Sequence, residues 1–411
     1  MVPHPRFFLR GVGWGKKNFS VSNAPVGEKP VAREQKSMSP WAIGAGSADI
    51  PPDGRDVVNS RHRLTRFMRN NPTMRRFCSM AMTIGLTYDL RVEYLAMGYS
   101  EDETAELDRE DTISAIEEAL RELGHRPERV GNAKQLVAAL GSGKRWDLVF
   151  NIAEGLHGIG REAQIPALLD LYKTPYTFSD PLVMCLTLHK GMTKRVIRDA
   201  GVPTADFVIV ETAKDAQTVP FEPPYFVKPV AEGTGKGVSP ESIVQVADRL
   251  PAVCERLIGA YSQPVLVEPY LSGREFTVAI LGTGHDAAAL GTVEVLVLTG
   301  AEPGVYSYIN KEHCEELVEY RLVRPEQDPV VAEAEDVALK AWQVLGCRDA
   351  GRVDLRCDEN SSPLFMEVNP LAGIHPQHSD LPIICNQLGI PYVTLIERIL
   401  ASAACRVLRM G

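Results

Sequence analysis

Two short runs in the last quarter of the chain, Arg352-Val353-Asp354-Leu355 and Met366-Glu367-Val368-Asn369, constrain its fold most tightly. Polar and apolar residues alternate in both with a period of two, the period of a strand whose one face lies on a core. The intervening Cys357–Pro363 reads as a hairpin loop, so the two strands fold back on each other. One face then carries Arg352, Asp354, Glu367 and Asn369, and the other Val353, Leu355, Phe365 and Val368. Two carboxylates and an amide oxygen are hard ligands suited to Mg²⁺. An arginine beside them can hold phosphate or a developing oxyanion. The alternative is a merely solvated polar face, which the apolar opposite face disfavours.

The surrounding pattern is α/β. The run Thr83–Tyr88 reads as a buried strand, Thr112–Leu123 as a helix stopped by Gly124, and Arg126–Val130 and Asp147–Asn151 as strands flanking a helix at Ala133–Leu140. Strands alternating with helices imply a parallel sheet with ligands at the strands' carboxyl ends, where Asn151–Gly155 lies. Further on, the pattern predicts a helix at Met192–Ala200 and strands at Phe207–Val210, Tyr225–Val230, Val265–Val267, Glu275–Leu281 and Ala288–Leu298, then a helix at Glu333–Leu345. A chain of 411 residues suggests two or three domains. Residues 1–80 hold 14 Lys/Arg against 5 Asp/Glu and lack periodicity, which reads as a basic, disordered extension. The rest is acidic enough to bring the net charge to −9, which disfavours a nucleic-acid partner. No apolar run reaches membrane-spanning length. The eight cysteines form no CxxC pair and read as reduced thiols of a cytoplasmic protein.

Two more stretches carry chemistry. In Lys228-Pro229-Val230-Ala231-Glu232-Gly233-Thr234-Gly235-Lys236-Gly237-Val238 a strand delivers a lysine into a glycine-rich turn. Such a turn can present backbone N–H groups to phosphate, and it reads equally as a plain hairpin turn. Its glycine spacing is neither that of a Walker A loop nor that of a dinucleotide fingerprint. Asn369–Pro382 is a loop rich in Pro and His directly after the candidate metal ligands. His375 and His378 there lack the thiolate partner that a zinc site would favour.

Together, VKPVAEGTGKGV, VEPYLSGREFTVAIL and GCRDAGRVDLRCDENSSPLFMEVNPLAGIHPQHSDLP resemble the ATP-grasp superfamily, and within it the D-alanine–D-alanine ligases. The resemblance spans roughly Thr83 to Leu400. It implies an N-terminal α/β substrate domain at 81–180 and a two-part ATP-grasp domain at 181–266 and 267–411. It implies ATP phosphates on Lys190 and Lys228, with Lys311 from a mobile lid within Thr299–Glu316. Adenine would meet Glu268 and the backbone of Tyr270 and Leu271, and ribose Glu275. Asp354, Glu367 and Asn369 would hold Mg²⁺, or Mn²⁺ in its place. Arg352 and the Gly373 N–H would stabilise an oxyanion. Glu106 would take the first substrate's amino group, with Thr234 and Ser379 near the substrates. Glu106 also reads as part of a solvated acidic run, Glu101–Asp111. The partners implied are ATP and two small amino-acid-like substrates, in a homodimer. The chain departs from the family pattern at Glu312, where a tyrosine is usual, at His189, where an aspartate is usual, and at Asp380, where the residue is usually apolar. Those departures bear on the acceptor pocket, and the acidic lid residue Glu312 would favour an acceptor carrying positive charge; a different amino-acid pair in secondary metabolism and an ATP-binding protein without turnover stay open.

Overall fold

The computed structural model describes residues 80–410 except Pro303, Tyr306, Tyr308, Lys311 and Glu312. The basic segment, Met80 apart, and the lid lysine Lys311 therefore lie outside the described residues.

The chain begins with β1 (Thr83–Thr87), α1 (Arg91–Ala96), α2 (Glu110–Glu122), β2 (Arg126–Gly131), α3 (Ala133–Gly141) and β3 (Leu148–Asn151). These strands form a parallel sheet in the order β2-β1-β3. Ile84, Leu86, Leu148 and Phe150 are fully buried in it, and α2 presents Ile113, Ile116 and Leu120 to the same core. The start of α3 is fixed by a capping box between Asn132 and Gln135.

Next come α4 (Gln164–Leu171), α5 (Pro181–Leu188), α6 (Lys190–Asp199), β4 (Val208–Val210), β5 (Tyr225–Pro229), β6 (Ile243–Val244), α7 (Leu250–Tyr261) and β7 (Val265–Pro269). The strands make an antiparallel sheet, β4-β7-β5-β6. Asp180 caps α5 with Pro181 in its first turn. His189 caps α6 by accepting the Met192 N–H at 3.2 Å. After the glycine-rich turn the chain rejoins this sheet only through the two residues of β6.

The remainder is β8 (Glu275–Leu281), β9 (Ala288–Val297), α8 (Cys314–Leu317), β10 (Val318–Val323), α9 (Pro329–Leu345), β11 (Ala350–Cys357), β12 (Pro363–Asn369), α10 (Asp380–Gln387) and α11 (Tyr392–Met410). Its antiparallel sheet runs β10-β9-β8-β11-β12. Helix α9 buries Val331, Ala334, Ala338, Ala341 and Trp342 against it. Trp342 decides how closely β11 can approach: a Cβ at Gly351 would stand 2.7 Å from its ring and 2.5 Å from the Asn369 carbonyl oxygen. Glycine at 351 thus lets the strand pass over the indole and sets Arg352 and Asp354 where they are. The loop expected to run to Pro382 ends earlier, because Ser379 is the N-cap of α10 and Pro382 falls within that helix's first turn, where a missing N–H costs nothing.

The described residues belong to one compact unit. Among them, no single helix is long and apolar enough to cross a membrane, and Cys185, Cys254, Cys347, Cys357, Cys385 and Cys405 are free thiols.

Candidate functional site

The hairpin expected from the sequence is present and its register builds the site. Arg352 pairs with Asn369 and Asp354 with Glu367 across β11 and β12. Asp354 is anchored from the other side, where the Thr277 hydroxyl of β8 donates to its Oδ1 at 3.0 Å. The Arg352 guanidinium pairs with Asp354 and, through Nε, with Asp380 at 3.2 Å. Asn369 Nδ2 donates to Asp354 Oδ2 at 3.3 Å. Burial alone would lower the pKa of Arg352, but Asp354, Asp380 and Glu367 outweigh it and hold the charge in place.

Three lysines approach from strand β5 and helix α6. Lys228 lies 3.4 Å from Glu367 and 3.7 Å from Glu268, and Lys190 lies 3.6 Å from Glu367. Lys194, one turn after Lys190, pairs with Glu268, the two side chains being 1% and 6% exposed. Burial pushes the pKa of Lys190 and of Lys194 down. Burial acts the same way on Lys228, but Glu367 and Glu268 together turn the net shift upward.

Two cavities adjoin this cluster. The smaller, about 60 Å³, is lined by Lys228, Lys236, Glu275, Asp354 and Arg356 among others. The larger, about 270 Å³, is lined by Glu106, Thr234, Arg352, Asn369, Gly373 and Ser379 among others. Lys190, Glu232 and Glu367 line both and so form the partition between them. Three of the expected residues line neither cavity. Glu268 touches the smaller one only through its pair with Lys228. Tyr270 donates its hydroxyl to the Gly304 carbonyl at 3.0 Å, beneath the Arg356 guanidinium. Leu271 is half-buried beside it.

Glu106 is no part of a solvated run. Its side chain is 9% exposed, pairs with Arg161 at 2.7 Å and accepts the Gly233 N–H. Burial raises its pKa, yet Arg161, Lys236 and these hydrogen bonds bring it below the usual carboxylate value. The contact also explains Gly233, where a Cβ would stand 2.9 Å from the Glu106 carboxylate. Thr234 follows with φ +51°, a left-handed conformation that a β-branched residue adopts only when its surroundings impose it. Gly373 packs against Ser379, whose Oγ accepts the His375 N–H at 3.0 Å. A Cβ at 373 would come within 2.7 Å of that Oγ.

Asp354, Glu367 and Asn369 supply only oxygen donors, a set that fits a hard cation such as Mg²⁺. His375 and His378 stack with ring centroids 4.5 Å apart, and His375 faces Asp111 at 3.3 Å. Among the described residues no group of three His, Cys, Asp or Glu side chains gathers in a way that could hold a metal. Sequence reasoning missed Lys194 and Arg161. The helical i,i+4 spacing of Lys190 and Lys194 was the signal available for the first. For Arg161 there was none, because its partner is 55 residues away.

A family profile described as "D-ala D-ala ligase C-terminus" matches residues 196–401. The D-alanine–D-alanine ligase of Bordetella petrii is 33% identical over 255 residues, 61% of this chain and 75% of the relative. That of Actinobacillus pleuropneumoniae is 32% identical over 320 residues, 77% of this chain and 99% of the relative. Among solved structures, the D-alanine–D-alanine ligase of Bacillus anthracis complexed with ATP superposes with a TM-score of 0.59 at 19% identity, covering 80% of this chain and all of that one, a likeness of fold. With half the chain matched by the profile and nearly the whole length of a relative aligned to it, this protein belongs to the D-alanine–D-alanine ligase family of ATP-grasp proteins.

Proposed function

We propose that the chain is an ATP-dependent carboxylate–amine ligase that joins two amino-acid-like substrates through an acyl phosphate, with D-alanyl-D-alanine synthesis as the reference reaction. The observation that carries this reading is the partition formed by Lys190, Glu232 and Glu367: on one side is a cavity lined by Lys228, Lys236 and Arg356, on the other one lined by Glu106, Arg352 and Gly373. The phosphates and ribose of ATP lie at the smaller cavity, and the adenine lies beyond its lining. Lys190 and Lys228 balance the phosphates, Glu275 takes the ribose, and Glu268 with the Tyr270–Leu271 backbone meets adenine. Lys311 closes over the phosphates from the lid. Mg²⁺ or Mn²⁺ held by Asp354, Glu367 and Asn369 would draw negative charge from the β- and γ-phosphates.

Glu106 orients the donor by its ammonium, with Thr234 beside it. The donor's carboxylate oxygen attacks the γ-phosphorus; the bond to the β-phosphate oxygen breaks and ADP leaves. The acceptor's amine, placed near Ser379, attacks the acyl carbon and sheds a proton. Arg352 and the Gly373 N–H stabilise the oxyanion, which collapses to an amide and phosphate. Water would hydrolyse the acyl phosphate, so the Thr299–Glu316 lid must exclude it. The cytoplasm, with its ATP, is the compartment that suits this chemistry, and a homodimer is the assembly.

Screening pairs of D- and L-amino acids for ADP release, with mass detection of the product, tests the reading. Asp354→Ala should cut amino-acid-dependent ADP release by about a thousandfold or more; a variant that retains it removes the metal assignment. His189, Glu312 and Asp380 favour a pair other than two alanines, and a product other than D-alanyl-D-alanine would move the enzyme from cell-wall synthesis to secondary metabolism. ATP binding by calorimetry with no ADP from any pair would leave a nucleotide-binding protein without turnover.

A further inference from the structure

The larger cavity holds more carboxyl groups than the ligase chemistry uses. Asp108, Glu154 and Glu162 all line it, and among the described residues none of these carboxyls makes a hydrogen bond or an ion pair. The cations on the same wall are already engaged: Arg352 with Asp354 and Asp380, Arg109 with Asp111, Arg91 with Glu101 and Lys190 with Glu367. Arg161, next to Glu162, belongs to Glu106. An independent sign of a missing ligand is Thr112. It is 2% exposed and lines the same cavity, yet its hydroxyl has no hydrogen bond among the described residues.

Desolvation pushes all three carboxyls upward, with Asp89 adding to it at Asp108, Glu162 and Glu106 at Glu154, and Glu106 at Glu162, which rises to about 7. Leaving half-buried acids in a cleft without partners is costly, and a ligand that brings a positive charge relieves the cost. Glu154 and Glu162 both feel the charge of Glu106, which places the surplus on the side of the cavity assigned above to the donor.

We propose that the donor is a diamino acid, whose α-ammonium meets Glu106 and whose side-chain ammonium is taken up by Glu154, Glu162 and Asp108, with Thr112 beside them. The inference rests on the ligase reading above and names its substrate class: ornithine, lysine and 2,4-diaminobutyrate rather than alanine. A site built to pair a cation discriminates strongly against an analogue that lacks it, because its buried groups are then left unpaired. Binding releases the proton held by Glu162. The groups facing Glu162 are Arg161 on its own turn, Glu106 and Glu154 across the cavity, Lys190 at the start of α6 and the Cys185 thiol of α5.

The test compares each diamino acid, in both chiralities and with a panel of acceptors, against its uncharged isostere: norvaline for ornithine, norleucine for lysine, 2-aminobutyrate for diaminobutyrate. Donor-dependent ADP release should favour the diamino acid by about a hundredfold in kcat/KM. Its KM should fall as pH rises through about 7. Glu162→Gln and Glu154→Gln, nearly isosteric changes, should collapse the preference to less than about fivefold, and Glu162→Asp should restore part of it. If norvaline or alanine serves as well as ornithine, the inference falls while the ADP released keeps the ligase reading standing. If no amino acid yields ADP, the ligase reading falls, and calorimetry of ornithine against norvaline on the full-length protein loaded with a non-hydrolysable ATP analogue decides the rest. Tighter ornithine binding by about tenfold or more retains the ligand class, and equal binding overturns it.

Discussion

Replacing Lys194 by methionine removes one member of the most deeply buried ion pair near the nucleotide cavity. Its side chain is 1% exposed and its ammonium lies against Glu268, whose side chain is 6% exposed. The variant keeps the side chain's length and leaves Glu268 with Lys228 alone, 3.7 Å away. Removing one partner of a buried pair costs about 3–5 kcal/mol. The remaining lysine places this case at the low end, about 3 kcal/mol, or a fall in Tm of roughly 3–5 °C for a chain of 411 residues. Replacing both partners, Lys194→Met with Glu268→Leu, leaves no orphan charge and should recover the loss to within about 1 kcal/mol. The functional consequence follows the same geometry. Glu268, deprived of Lys194, competes with Glu367 for Lys228, so the KM for ATP in the single variant should rise roughly tenfold, equivalent to ~1.4 kcal/mol. Thermal unfolding of both variants and ATP-dependent kinetics are the assays. A single variant that melts within about 2 °C of the parent would refute the reasoning, because the pair would then contribute nothing that water does not.

Three other outcomes are expected. Gly351→Ala drives a methyl to 2.5 Å from the Asn369 carbonyl oxygen and 2.7 Å from the Trp342 ring, so it should destabilise by about 1–3 kcal/mol and lower kcat by displacing Arg352, measured by urea unfolding and turnover. Glu162→Gln should stabilise the protein with a defined pH dependence. The folded pKa of about 7 lies above the ordinary 4.5, so the folded state holds the extra proton, and stability is lost as pH rises from 4.5 through 7. The gain on substitution should be absent near pH 4, complete above pH 7, and about 1–2 kcal/mol given the water in the cleft. Asp349→Ala removes a fully buried carboxylate that pairs with Arg406, accepts the Phe178 N–H at 2.7 Å and the Ser402 hydroxyl at 2.8 Å. It should cost about 3–5 kcal/mol in thermal unfolding, because an unpaired guanidinium stays behind.

The parts of the fold legible in the sequence were those where one face differs from the other. The β11–β12 hairpin, β8 and α2 announce themselves by periodicity, and their predicted and observed ranges agree within two or three residues at each end. Helix α5 gave no such signal: Pro181–Leu188 is apolar nearly all round, since even its exposed face carries Leu182 and Cys185, and it has no polar stripe to reveal a period. Strand β10 hid for the opposite reason, since an edge strand carrying Glu319 and Arg321 outward looks like a charged loop. Within the site, residues on adjacent strands were readable because hairpin register follows from spacing. The Glu106–Arg161 and Lys194–Glu268 pairs join residues 55 and 74 positions apart. Only the tertiary fold brings them together, so no local pattern could mark which glutamate of the acidic run turns inward.

The shared partition has a bearing on the order of events. Glu367 is neutralised by the ammonium groups of Lys190 and Lys228. A triphosphate entering on one side competes for those same two cations and wins by its greater charge, and as they swing away the glutamate loses its counter-ions. The arrival of one guest therefore rewires the wall that the other guest will face. An amino acid entering first meets a surface still tied up in its own internal pairing, so substrate addition should begin with the nucleotide.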